Sequence, residues 1–141
     1  MFDNPYLKVI KSTGPHGDAT CWYQIEVPKD WTMRDFVQYV CHDYAVEHQE
    51  CGTIACGRGG YNDKIIEYSG RGWRGGKASL YTGEQYFTPK DKSEQLENSI
   101  ALYNKYIDRK IIGVQANGGW GAMDYFLNFE PEPKSYANYE F

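Results

Sequence analysis

Residues 21–44 read CWYQIEVPKDWTMRDFVQYVCHDY, and they decide the fold class. Cys21, Tyr23, Ile25 and Val27 alternate with Trp22, Gln24 and Glu26, which is the two-residue period of a half-buried strand. Pro28 ends that strand. Thr32 followed three residues later by Asp35 has the spacing of a capping box, in which each side chain satisfies the other residue's backbone N–H. Phe36, Val37, Val40, Cys41 and Tyr44 then recur at helical spacing and predict an apolar stripe laid across one face of a sheet.

Upstream, residues 6–12 (YLKVIKS) predict a strand that forms a hairpin with 21–27 through STGPHGDAT, a connection rich in turn-forming Gly, Pro and Asp. Downstream, glycines punctuate every apolar run from about 50 to 88, so only short strands fit: GTIA at 52–55, KIIEY at 64–68 and a hairpin SLYTGEQYF at 79–87. Asp91 with Glu94 is a second capping pair, and Leu96, Ile100, Tyr103 and Ile107 mark one face of a second helix. Residues 110–116 and 123–129 predict a C-terminal β-hairpin joined through Asn117-Gly118-Gly119-Trp120-Gly121. The expected architecture is a single α+β domain over 1–130, a mixed, mostly antiparallel sheet with a β-β-α start and two helices. A β-grasp-like arrangement is one form of it. Residues 131–141, with Pro131 and Pro133, predict a flexible acidic aromatic tail.

The composition sets outer bounds. With 141 residues, 41% hydrophobic and 16% aromatic, including 13 Tyr and 4 Trp, the chain has material for a core, and neither wholesale disorder nor a collagen-like repeat is compatible with it. No apolar run approaches the roughly 18 residues of a membrane helix, and the first residues lack a secretory pattern, which leads us to expect a cytoplasmic protein. In that compartment the four cysteines are expected as reduced thiols. Cys41, His48, Cys51 and Cys56 are the weak candidates for zinc, but they lack the two short-range pairs a tetrahedral site uses, so neither metal nor other cofactor is expected. Cys21 with His16, or Cys41 with His48, is the pairing that a nucleophilic mechanism would need.

The most unusual chemistry is in CGRGGY (56–61) and SGRGWRGGK (69–77). Glycines let another molecule approach the backbone, arginines offer planar donors to phosphate or carboxylate, and aromatic rings stack on bases. Residues 57–77 carry Arg58, Lys64, Arg71, Arg74 and Lys77 against Asp63 and Glu67 in a chain of net charge -4. A local positive segment on an acidic protein suits a small anion better than an extended nucleic acid. The expected ligand-binding residues are Arg58, Tyr61, Arg71, Trp73, Arg74, Lys77 and Trp120. The same residues also read as a surface loop or an oligomer contact, and no phosphate-loop motif is present. Asp124, in the last strand, faces either a site or water.

Three functions follow as expectations. The first is a non-enzymatic binding protein that sequesters an anionic, nucleotide-like ligand. The second is a protein-protein inhibitor that blocks a host nucleic-acid-processing enzyme through Tyr-rich acidic surface, and the third is a small Cys/His-dependent hydrolase. At the level of class, a compact, acidic, Tyr- and Gly-rich domain without enzyme motifs resembles the accessory proteins of bacteriophages and mobile elements. That resemblance implies an anti-defence role in the host cytoplasm, with a homodimer as the default assembly.

Overall fold

The computed structural model describes residues 4–13, 21–48, 50–56, 64–69, 101–119 and 122–129. The expected hairpin at 79–87, the Asp91/Glu94 capping pair and the 131–141 tail lie outside them. Strands β1 (Lys8–Ser12), β2 (Cys21–Glu26), β3 (Cys51–Cys56), β4 (Lys64–Ser69), β5 (Ile111–Gly119) and β6 (Ala122–Phe129) form one sheet in the order β1-β2-β5-β6-β3-β4. Neighbours are antiparallel except β3 and β6, which run parallel with Ile54 opposite Tyr125. The fold is therefore α+β with a mixed, mostly antiparallel sheet. The hairpin-then-helix opening is present, with β1 at one edge of the sheet.

β3 and β6 occupy the interior of the sheet, and all six residues of β3 are buried. Strands buried on both faces cannot read as alternating polar and apolar, which is why CGTIAC and AMDYFLNF carry small and apolar residues on both sides. Their backbones approach closely at Gly52: a Cβ there would land on the Met123 carbonyl oxygen and 2.8 Å from the Tyr68 hydroxyl. That hydroxyl donates to the same Met123 carbonyl at 2.8 Å.

The last hairpin is longer than the sequence pattern predicts. Asn117, Gly118 and Gly119 belong to β5, paired with Asp124, Met123 and Ala122, instead of forming a connection. Asn117–Gly119 is strand because β6 pairs with all three residues and β2 with Asn117 and Gly118 from the other side, a tertiary gain that overrides the weak β preference of Gly and Asn.

The helical run after β2 opens as α-helix over Met33–Phe36 (α1), widens to π-helix over Val37–Tyr44 and closes as α-helix over Ala45–His48 (α2). Thr32 and Asp35 form the expected capping box. The remaining N-terminal donors are also satisfied, since Met33 N–H reaches the Arg109 carbonyl at 3.2 Å and Arg34 N–H the Ile107 carbonyl at 3.0 Å. The turn leading into β5 thus seals the helix start. Inside the run, the buried residues Met33, Val37, Cys41 and Ala45, like Phe36, Val40 and Tyr44, are four apart. In an α-helix each step of four overshoots a turn by about 40°, and in a π-helix of roughly 4.4 residues per turn it falls short by a similar amount. Alternating the two keeps the stripe on one line. Gln38 Nε2 donates to Asp43 Oδ1 at 2.7 Å, five residues on, along the widened turn.

This stripe packs on one sheet face with Ile25, Ile54, Val114, Tyr125 and Leu127, and Phe36 meets Tyr125 edge-on with ring centroids 5.0 Å apart. A second helix, residues 101–106, reaches the same face through Tyr106, which stacks on Phe129 at 4.9 Å. Tyr125 and Phe129 are four apart on one strand and so share a side of the sheet. Both helices therefore cover one face, and the opposite face is left to the features described next.

Candidate functional site

On the opposite face, cross-strand pairing aligns Lys11, Gln24, Gln115 and Phe126 over β1, β2, β5 and β6. A cleft of 840 Å³ opens along this face, lined by Lys11, Gln24 and Gln115 of that row together with Ile10, Glu26, Lys29, Asp30, Ile112, Gly113 and Asn128. Gln115 and Asn128 are buried, at 9% and 8% exposure, so the floor is made of carboxamides held within the sheet. Two β-bulges shape the walls. β1 carries one extra residue between Val9 and Lys11, and β5 one between Ile111 and Gly113. The extra residues are Ile10 and Ile112, which are 50% and 57% exposed, and both line the cleft. A bulge re-aims the side chain it adds, so both isoleucines reach solvent although their strands are paired.

Lys11, Lys29 and Lys110 border the cleft, against Glu26 and Asp30. Lys110 Nζ lies 2.7 Å from Asp30 Oδ1, both side chains largely exposed. Asp30 has φ 66°, the left-handed region, at the third position of a turn closed by Trp31 N–H donating to the Pro28 carbonyl at 3.3 Å. Aspartate tolerates that geometry better than most residues, and the turn carries Lys29 to the cleft mouth.

Further along the same face, Thr53 Oγ1 donates to Asp124 Oδ1 at 2.9 Å. These two stand directly opposite in the parallel pair β3/β6. Asp124 is thus half-buried and hydrogen-bonded within the sheet, where the sequence left it facing a site or water.

The cysteine candidates are dispersed. Cys41, Cys51 and Cys56 are all buried free thiols, with Cys51 and Cys56 on opposite faces of β3 because they are five positions apart along the strand. His48 stacks on Tyr44 at 4.0 Å, and its Nδ1 lies 3.0 Å from the Tyr44 carbonyl. Among the described residues no group of three His, Cys, Asp or Glu could hold a metal ion. Burial, and then the Glu50 carboxylate, push the Cys41 thiol well above its ordinary pKa, which keeps it protonated and a poor nucleophile. Cys21 Sγ lies 3.1 Å from Ser12 Oγ and 3.6 Å from Thr13 Oγ1, while His16 lies outside the described residues.

Arg58, Tyr61, Arg71, Trp73, Arg74, Lys77 and Trp120 also lie outside the described residues. The cleft is a site that sequence reasoning missed. Its one signal was present: Val9-Ile10 and Ile111-Ile112 are adjacent apolar pairs that break a two-residue alternation, as bulges do. No family model matches the chain, and no curated protein or solved structure matches it either. Among the described residues no helix is long and apolar enough to cross a membrane.

Proposed function

We propose that this chain is a non-enzymatic binding protein that sequesters a small anionic, nucleotide-like ligand. One observation carries the reading: the 840 Å³ cleft combines a carboxamide floor, exposed apolar walls and bordering lysines. Its size falls in the range of roughly 300–1,000 Å³ that ligand pockets occupy, and a few polar groups among apolar ones are what fix a ligand's orientation. Lys11 and Lys29 supply the charge complement for an anion. Capture without turnover suits an accessory protein of a phage or mobile element that withdraws a signal from host defence in the host cytoplasm.

The test is the native mass of the protein purified from cells, set against its denaturing mass, for the parent and a Lys11→Ala/Lys29→Ala variant. We expect excess mass at fixed stoichiometry in the parent, released intact on denaturation and reduced in the variant. Catalytic conversion of the captured molecule would replace this reading with an enzyme.

A second reading, the protein-protein inhibitor, has its own observation. Tyr6 and Tyr39 are exposed and gather around Trp31, which stacks on Tyr39 at 5.4 Å. Tyr and Trp are the residues most enriched at interface anchors. Tyr6→Ala with Tyr39→Ala should then abolish capture of a host protein from lysate while leaving the cleft's ligand in place.

A further inference from the structure

The two bulges, taken with what stands between them, define the ligand more narrowly. β1 and β5 flank β2, and adjacent strands are about 4.8 Å apart, so Ile10 and Ile112 rise from strands roughly 10 Å apart on either side of β2. Between them Glu26 lies at the end of β2, and its side chain makes no hydrogen bond or ion pair with another described residue. Gly113 leaves the floor open beside it: a Cβ there would meet only Asn128, at 3.7 Å or more. Exposed isoleucines occurring singly need no explanation, but two extruded by separate bulges into one cleft form apolar walls for a flat ring. A carboxylate accepts two parallel hydrogen bonds from adjacent donors.

We propose that this cleft is a slot for a nucleotide base that presents adjacent N–H donors, guanine-like, with Ile10 and Ile112 against its faces and Glu26 accepting from its edge. The inference rests on the anionic-ligand reading above, since Lys11 and Lys29 take the phosphate. An adenine edge sets a ring nitrogen acceptor beside its amino group, and that lone pair meets the carboxylate unfavourably, so the slot discriminates between the two purines. Gln24, whose side chain makes no hydrogen bond with another described residue, stands two residues from Glu26 on the same side of β2 and offers a donor and an acceptor to the sugar or the ring.

Calorimetric titration with guanosine 5′-monophosphate, adenosine 5′-monophosphate, ribose 5-phosphate and guanosine tests this on the full chain. The parent should bind guanosine monophosphate at least tenfold more tightly than the adenosine nucleotide or the sugar phosphate. Glu26→Gln should remove that preference, and Lys11→Ala/Lys29→Ala should weaken every phosphorylated probe about tenfold. Glu26, Lys11 and Lys29 are surface side chains, and an unchanged thermal melt verifies that the variants fold. Equal binding of the three phosphates, all weakened by the lysine variant, would overturn the base slot and keep the anionic reading. Guanosine binding as tightly as its monophosphate, with the lysine variant unaffected, would overturn the anionic reading. No binding of any probe at millimolar concentration would overturn both.

Discussion

Two glycines show how differently the same residue can be constrained. At Gly52 an added methyl would meet the backbone of Met123 in the central parallel pair, where neither strand can move without breaking a ladder. Gly52→Ala should therefore lower the unfolding free energy by about 2 kcal/mol or more, as overpacking in a rigid core does. Gly113 faces the open cleft, and Gly113→Ala should change stability by less than about 1 kcal/mol. Urea titration of both variants checks the pair; equal losses would mean that the close approach at Gly52 carries no special cost. The half-buried Tyr23 and the buried Tyr125 make a separate prediction. Burial first, and then Cys21, push the Tyr23 hydroxyl up to about 12, while burial and the Glu50 carboxylate raise Tyr125 well above the ordinary phenol. The native state then keeps these protons where the unfolded chain has begun to lose them. Stability is fully present below about pH 10 and falls as pH rises through about 12. Denaturation at pH 8 and pH 11 should show that fall, and Tyr125→Phe should lessen it; a flat profile in the parent would refute the assignment.

The helix start is set at the scale of the element. Thr32→Ala removes the side chain that accepts from Asp35 N–H, and a lost N-cap costs about 1 kcal/mol, measurable by thermal melting. No change would mean that the Arg109 and Ile107 carbonyls, which receive the Met33 and Arg34 N–H groups, hold the helix unaided. Much of this was legible in the sequence. The capping box, the stripe from Phe36 to Tyr44 and strands read at 21–27, 52–55 and 64–68 followed from local rules, and the observed strands Cys21–Glu26, Cys51–Cys56 and Lys64–Ser69 differ from them by one residue at one or both ends. The four-residue step of the stripe was also visible, yet the widening to π-helix was not, since only packing against a sheet makes a constant line worth the poorer hydrogen-bond geometry. Asn117–Gly119 failed as a turn for the opposite reason: their strand pairing is supplied by β6, and no property of those residues announces it. The cleft was hidden because its residues come from β1, β2, β5 and β6 and converge only through strand order. The edge strand β1 carries Lys8, Lys11 and a bulge, devices that also discourage pairing with another chain.

For the whole molecule, ligand capture and folding are linked. A ligand held only by the native state at a hundred times its dissociation constant adds about 2.7 kcal/mol to the unfolding free energy. Guanosine monophosphate at that excess should raise the melting temperature of the parent and not of Lys11→Ala/Lys29→Ala; an equal rise in both would place binding elsewhere. Removing residues 131–141 should leave that rise intact, because the cleft is built from residues 10–30 and 110–128. The position of β6 reaches furthest. It pairs with β5 on one side and β3 on the other, so it joins a β1-β2-β5 half to a β3-β4 half that otherwise share no strand contact. It is also the last of the described strands to leave the ribosome. Until it emerges, a nascent chain lacks the strand that joins β5 to β3, and the edges of both halves stay unpaired and open to chaperones and to one another.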